Sequence, residues 1–370
     1  MSRLFKASLL LTIFFGLNKL VALFRQIIIA RQFGLTAEID AFNVANNFPD
    51  LIVSLISGGA LTFAFIPIFC LYKQKFGQDQ SWKLFSSIAN MVFVTTAVLS
   101  LIIAVFAEPI VSSQLGIAPG FSKNQQLLVV AIMRINLLAT LVFSVSGLLM
   151  ASLQANKHFL LPALSPILYN FGQIFGAVVL SPNTGLTLGP LTLPAFNLGV
   201  YGLAYGVLIG SVMHFLIQIP GAWRYKFHWS FVMDFKDKYV QRVLTLMGPR
   251  MLTMFLIQFI FIARDNLASR LEGGAVSALT YAYFIMQVPE TLIGTAIGTA
   301  LLPTLSELEA KENRREFEAV LNRTIRVIIA TSMIFVVLLS LILGPLVESI
   351  FGFNPDQTNL LVWVTRAYLL

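Results

Sequence analysis

Residues 39–59 read IDAFNVANNFPDLIVSLISGG, and the fold turns on how this stretch is understood. Asp40, Asn43, Asn47, Asp50, Ser54 and Ser57 recur at spacings of three and four, the repeat of one helical face. At roughly 1.5 Å per residue the stripe covers about 25 Å, most of the thickness of a hydrocarbon core. Small and amide residues also serve helix–helix packing, so Ser54, Ser57, Gly58 and Gly59 fit a packing role alone. Two carboxylates and two amides on the same face ask for water, ions or a polar ligand, and a hydrated cavity is expected beside them.

The chain around the stripe is apolar. Of 370 residues 57% are hydrophobic and 11% charged, and the mean hydropathy is +0.81. A soluble domain carries about 25% charged residues, so this chain lacks the polar surface to live in water. Its repeated apolar runs predict an all-α polytopic membrane protein. Spans are expected at 7–30, 40–71, 84–107, 126–152, 159–181, 197–220, 243–267, 275–302 and 324–347, with a tenth starting near 358. The second contains Pro49 and Gly58-Gly59 and should be tilted, kinked or partly broken. Strand-like alternation is absent, which argues against a β-barrel. The N-terminal MSRLFKASLLLTIFF has no small-residue cleavage site after it and reads as a retained first span. Cys70, the only cysteine, excludes an internal disulfide.

The net charge of +8 is mainly a topology signal. Sixteen Lys and Arg fall in one set of connecting segments, against three (Arg31, Lys123 and Arg270) in the alternate set. That asymmetry predicts a cytoplasmic N-terminus and argues against a nucleic-acid partner. The segment SELEAKENRREFEAVLNR, 306–323, reads as an amphipathic cytoplasmic connector.

An internal echo sets the domain organisation. FPDLIVSLISGGAL (48–61) resembles VPETLIGTAIGTAL (288–301) without a gap, 240 residues apart. Six spans separate the copies, so both cross in the same direction. A parallel repeat predicts two six-helix lobes around a central cavity. The N-terminal lobe would cover 1–222, a cytoplasmic linker 223–242, and a partial C-terminal lobe 243–370. Because the sequence stops at Leu370 inside an apolar run, the second lobe is expected to be incomplete in this chain.

Six cations fall within spans: Lys19, Arg25, Arg134, Arg250, Arg264 and Arg366. A charge at mid-bilayer costs about 2.5–3.5 kcal/mol on insertion scales, so such residues face a wet cavity or a partner. Arg250, near a span end, suits snorkelling. Arg264-Asp265 reads equally as an interfacial ion pair or a functional group, and Arg366 as the start of its span. Asn18 and Arg25 are seven apart and share a face, with Lys19 and Gln26 forming a neighbouring pair. Two cations and two amides suit an anionic ligand; neutralisation of Asp40 or Asp50 for packing is the other reading. Arg134 stands evenly between the two. Enzyme readings find little support: His158, His214 and His228 lack metal-ligand spacing, and no phosphate loop or nucleophile elbow occurs. No metal or organic cofactor is expected.

The segment LNKLVALFRQIIIARQFGLTAEIDAFNVANNFPDLIVSLISGGALTFAFIPIF (17–69) resembles the N-terminal signature of the MviN/MurJ lipid II flippases, of the multidrug/oligosaccharidyl-lipid/polysaccharide exporter superfamily. LQANKHFLLPALSPILYN, MGPRMLTMFLIQFIFIARDNLASRLEGGAVSALTYA and QVPETLIGTAIGTALLPTLSE are similar to later family segments in the same order. The resemblance implies a transporter of the bacterial inner membrane that moves the undecaprenyl-pyrophosphate-linked peptidoglycan precursor to the outer leaflet by alternating access. It implies that Lys19, Arg25 and Arg134 counter the pyrophosphate, and that Asn43, Asn47 and Asn170 hydrogen-bond sugar or peptide. Asp40 and Asp50 would orient those cations or bind a coupling cation, with an ion gradient or membrane potential as energy source. A monomer is expected, with the cell-wall synthesis machinery as a further partner. Lys19 stands where the family usually has arginine, Gln26 where an acid often follows, Val53-Ser54 where members carry arginine, and Phe284 where an arginine is usual. These departures keep three alternatives open: another polyprenyl-linked oligosaccharide as cargo, a cation-coupled drug exporter, and a non-transporting envelope scaffold.

Overall fold

The computed structural model describes residues 3–57, 59–185, 187–188, 191–192, 194–295, 297, 301, 304–305, 307–309 and 313–369. Gly58, Gly298 and Ala300 of the internal echo, and Lys311 of the basic set, lie outside the described residues. The described chain is almost entirely helical, apart from one two-residue strand pair, Thr187–Leu188 with Leu191–Thr192. Eight of its helical runs are long and apolar enough to cross a membrane, which makes this a multi-pass membrane protein.

The contacts divide into two compact units, Met1–Phe33 with Ala37–Gly273, and Gly34–Thr36 with Gly274–Leu370. The first unit begins with α1 (Arg3–Phe33) and a second run made of α2 (Ala37–Ala45), α3 (Asn47–Ile52), a π-helical turn Val53–Ser57 and α4 (Gly59–Phe76). There follow α5 (Gln78–Val105), a short α6 (Ala107–Ser112), α7 (Lys123–Ala155) and α8 (Leu160–Phe175), which ends in a π-helical turn Gly176–Leu180. The unit closes with α9 (Val200–Leu216), α10 (Ile219–Arg224) and α11 (Lys238–Ala268). The helix with which the repeat begins its second lobe, α11, therefore packs by contact within the first unit. Asp237 starts it, its Oδ1 accepting from the amides of Tyr239 at 2.6 Å and Val240 at 3.4 Å.

The expected irregularity of the second span is present, and its position explains the proline. The helix breaks at Asn46, so Pro49 falls in the first turn of α3, where amides have no intrahelical acceptor to lose. Just beyond, Val53–Ser57 widens into a π-turn and the Ser54 hydroxyl donates back to the Leu51 carbonyl at 2.9 Å.

The tightest packing in the first unit is a glycine seam between α8 and α9. Gly172 and Gly176 lie against Gly202, Gly206 and Gly210, and a Cβ on Gly172 would overlap the Gly210 backbone. This is the small-xxx-small contact by which membrane helices approach without a hydrophobic driving force.

In the second unit, α12 (Ala275–Pro289) continues into a π-helical turn, Glu290–Thr295. Both copies of the echo thus carry a π-turn just past their matched prolines. The long α13 (Arg314–Phe351) starts at Asn313, whose side chain accepts from the Glu316 amide at 3.3 Å and donates to the Glu316 carboxylate at 2.7 Å. This reciprocal cap, with Arg314 pairing Glu318 at 3.1 Å, makes residues 314–323 the opening turns of the ninth span, where the sequence suggested a separate connector. After it comes α14 (Pro355–Leu369). Tyr281, Phe351 and Phe353 stack together, and Gln357 Nε2 donates to the Leu35 carbonyl at 3.3 Å.

The seam yields a stability prediction. Gly172→Val or Gly210→Val should cost about 1–3 kcal/mol of overpacking and lower the melting temperature of the detergent-purified chain. Gly248→Ala, where an added Cβ meets open space on α11, should leave the melting temperature unchanged or slightly raised.

Candidate functional site

The break at Asn46 places the site. Asn46 keeps helical dihedrals although the regular α-helical bonding is interrupted there, and the members of the polar stripe meet different neighbours along the span. Asp40 and Asn47 are buried in packing, at 1% and 8% exposure, whereas Asp50 is exposed. Asn43 is half-buried. Of the expected cavity-facing stripe, Asp50 lines a cavity, Asp40 is buried and Asn47 ties the span to α11.

The cavity is about 270 Å³ and lies within the first unit, between the broken second span, α7, α8 and α9. Its polar lining comes from Asn46, Asp50, Asn136, Thr140, Tyr169 and His214. Asn136 Nδ2 donates to Asn46 Oδ1 at 2.9 Å, and Asn46 Nδ2 donates to the Phe42 carbonyl at 2.8 Å, which ties the break to α7. At the far wall Ser146 Oγ lies 2.7 Å from His214 Nδ1, and Gln218 Nε2 donates to Ser146 Oγ at 2.8 Å. That buried network accounts for His214, which the sequence left isolated.

Arg25 reaches this region from α1. Asn18, one heptad earlier on the same face, accepts from Asn170 Nδ2 at 2.9 Å, so the α1–α8 seam orients the arginine. The Arg25 charge interacts with Asp50 and Tyr169. Among the described residues neither Arg25 nor Asp50 enters a direct ion pair. Arg25 Nε, Asn136 Oδ1 and Asn170 Oδ1 are buried without a hydrogen-bond partner. Native proteins leave few such groups; Asn136 lines the cavity, where a polar ligand or water would satisfy its oxygen, and Arg25 interacts with Asp50 and Tyr169 of the same lining.

The remaining expected site residues fall elsewhere. Asn47 Nδ2 donates to Asp265 Oδ2 at 2.9 Å, and Arg264 pairs the other oxygen at 2.7 Å. Asn47 thus joins a buried tie to α11 and does not face the cavity. Arg264-Asp265 is correspondingly part of the interior, its side chains 18% and 2% exposed. Arg134 is exposed, and its Nε donates to the Ala104 carbonyl at the end of α5, off the cavity. Asn170 spends its amide on Asn18 and the Pro166 carbonyl, leaving only Oδ1 free. Lys19 is exposed on α1. Arg250 stacks over the Phe63 ring at 4.0 Å, and Arg366 donates to the Ser340 carbonyl at 3.1 Å. Sequence reasoning missed Asn46, Asn136 and Tyr169. Asn46 stands three residues after Asn43 and four before Asp50, and Asn136 and Tyr169 each belong to a polar repeat of four, Asn136-Thr140-Ser144 and Ser165-Tyr169-Gln173, so the spacing was there to be read.

Comparisons with known proteins agree with this architecture. The family described as "Lipid II flippase MurJ" matches residues 29–370. The lipid II flippase MurJ of Burkholderia cenocepacia is 31% identical over 370 residues, covering 98% of this chain and 69% of that protein. The probable lipid II flippase MurJ of Buchnera aphidicola subsp. Acyrthosiphon pisum is 25% identical, with 91% of this chain and 64% of that one covered. The chain thus spans about two thirds of the length of these relatives. Among solved structures, a lipid II flippase MurJ in an inward closed conformation superposes with a TM-score of 0.78 at 23% identity, over 98% of this chain and 72% of that one. An inward-facing multidrug resistance MATE family transporter of the MOP superfamily gives 0.71 at 15% identity, covering 94% and 76%. These two likenesses establish the fold; the family match and the Burkholderia relative establish the lineage. The chain belongs to the lipid II flippase MurJ family.

Proposed function

We propose that this chain carries the headgroup-binding part of a flippase for lipid II, the undecaprenyl-pyrophosphate-linked peptidoglycan precursor. The family is one of transporters, and the chain is not an enzyme. The observation that carries the reading is Arg25, a cation with a buried donor nitrogen that has no hydrogen-bond partner among the described residues, coupled to Asp50 on a cavity whose lining includes the unpaired amide oxygen of Asn136. A guanidinium suits a pyrophosphate because it offers several donors in a planar fork and keeps its charge. Asn136 and Asn170 supply acceptors for sugar hydroxyls or peptide amides. Asp50 holds the arginine's charge in balance while the site is empty, and releasing it to a coupling cation or proton would let the headgroup take its place. Lys19, exposed along α1, would meet the phosphate at entry. The N-terminus is cytoplasmic in this reading and the membrane is the bacterial inner membrane, following the distribution of Lys and Arg. The two-lobe organisation, with boundaries near 222 and 243, is carried by the echo.

Three outcomes test the reading. In cells depleted of their own lipid II flippase, a gene bearing this chain should restore growth, and Arg25→Ala should abolish the rescue while Arg25→Lys keeps part of it. Rescue that tolerates Lys19→Ala and Arg25→Ala together would overturn the site. Substrate-dependent drug resistance without rescue would instead identify an exporter. The Asn47–Asp265 tie should behave as structure: Asn47→Ala should lose about 1.5–3 kcal/mol, read as a lower melting temperature in detergent, without a selective effect on headgroup binding.

A further inference from the structure

Residues 225–237 join α10 to α11 as an extended strap laid along α5. Trp82 Nε1 donates to the Tyr225 carbonyl at 2.9 Å. Ser86 Oγ accepts from the Ser230 amide at 3.2 Å, and Ser87 Oγ accepts from the Asp234 amide at 2.8 Å. Asn90 Nδ2 donates to the carbonyls of Ser230 at 2.9 Å and Val232 at 3.0 Å. All four α5 residues are buried, so the peptide groups of the strap are paired much as a strand would pair them. The side chains are left to face outward, and they are large and apolar: Trp229 is 40% exposed, Phe231 96%, Met233 47% and Phe235 61%.

Alternate strap residues, Trp229, Phe231 and Met233, roof a groove of about 900 Å³ whose floor includes Phe93, Leu141 and Phe215 of α5, α7 and α9. The groove is overwhelmingly apolar, yet the segment above it is basic. Arg224 and Lys226 precede the aromatic run, and Lys236, Lys238 and Arg242 follow it. Those five cations outnumber the three acids nearby, Asp79, Asp234 and Asp237. Asp234 Oδ1 accepts from the amides of Lys236 at 2.9 Å and Asp237 at 3.1 Å, Asp237 caps α11, and Asp79 lies 3.9 Å from His228. Exposed cations that flank the aromatic run in sequence, with an open apolar slot beneath that run, match the layering of a membrane interface: headgroup phosphate above and acyl chain below.

We propose that this groove binds one anionic bilayer phospholipid, its acyl chain between α5, α7 and α9 beneath the strap and its phosphate against Arg224, Lys226, Lys236 and Lys238. The charge complementarity selects an anionic lipid over a zwitterionic one. The site lies on residues that line none of the headgroup cavity, so it is independent of the transport reading.

Trp229 supplies the test. The purified chain is placed in nanodiscs containing either phosphatidylglycerol or phosphatidylcholine with brominated acyl chains, and the Trp229 signal is taken as the difference from a Trp229→Phe variant. Quenching by phosphatidylglycerol should require on the order of tenfold less lipid than quenching by phosphatidylcholine. Neutralising one lysine, worth about fivefold, should cut the tenfold preference to about twofold, and Lys226→Gln with Lys236→Gln and Lys238→Gln together should abolish it. These lysines are exposed, so the variants test binding without disturbing the core. Equal quenching by the two lipids, or a preference that survives the triple variant, would mean ordinary boundary lipid and would overturn the proposal. Absence of quenching by either would place the strap outside the bilayer and overturn it as well.

Discussion

The second span breaks its helix within the membrane-crossing run, and the hydrogen bonds of Asn46 and Asn47 secure that break. A hydrocarbon interior offers no water to satisfy freed polar groups, so irregular backbone persists there only against protein or a wet cavity. Asn46 is gripped by Asn136 of α7 and Asn47 by Asp265 of α11, two adjacent residues reaching in different directions. Fixed on both sides, α3 presents Asp50 to the cavity, and the π-turn that follows re-phases the helix into α4. The clamp fixes the segment that carries Asp50 between α7 and α11, and Asp50 is the carboxylate that Arg25 answers.

Around the clamp the helices are held unequally. The glycine seam brings α8 and α9 into backbone contact, which leaves little freedom between them. In contrast, α1 leaves Phe15, Leu20 and Phe24 exposed, at 58–64%. Its described polar tie to α8 is the single Asn18–Asn170 bond. α1 packs along α8 and brings Arg25 to the cavity from that side. The chain also marks its membrane boundary through the strap, where backbone pairing on α5 frees aromatic side chains to meet lipid.

Much of the fold was legible in the sequence because a bilayer imposes strict rules. Apolar runs of spanning length had to be helices, and Pro49 beside a polar stripe had to disturb one of them. What the sequence could not convey was which neighbour each polar residue meets. The three- and four-residue spacing from Asp40 to Ser57 identifies a face but not its neighbours: Asp40 is buried, Asn47 meets Asp265 of α11, and Asp50 lines the cavity. Arg134 shows a related limit: a cation eight or so residues into a span can still find a carbonyl at the end of the next helix, as it does at Ala104. The glycine seam was open to reading, since GQIFG and GLAYGVLIG both carry small residues four apart. Asn136 and Tyr169 were open to reading too, each in a polar repeat of four, Asn136-Thr140-Ser144 and Ser165-Tyr169-Gln173, but a repeat alone does not say which helices meet across a cavity.

The central claim is that Arg25, freed from a direct protein partner and set against Asp50, binds the pyrophosphate of a lipid-linked headgroup. Equilibrium binding of undecaprenyl-pyrophosphate-linked substrate to the purified chain in nanodiscs, compared between the parent chain, Arg25→Ala and Asp50→Asn, tests it most directly. The account predicts that Arg25→Ala weakens binding at least tenfold, about 1.4 kcal/mol, and that Asp50→Asn, which removes a competing anion, leaves binding equal or tighter. Unchanged affinity in Arg25→Ala, or loss of binding on Asp50→Asn alone, would contradict it.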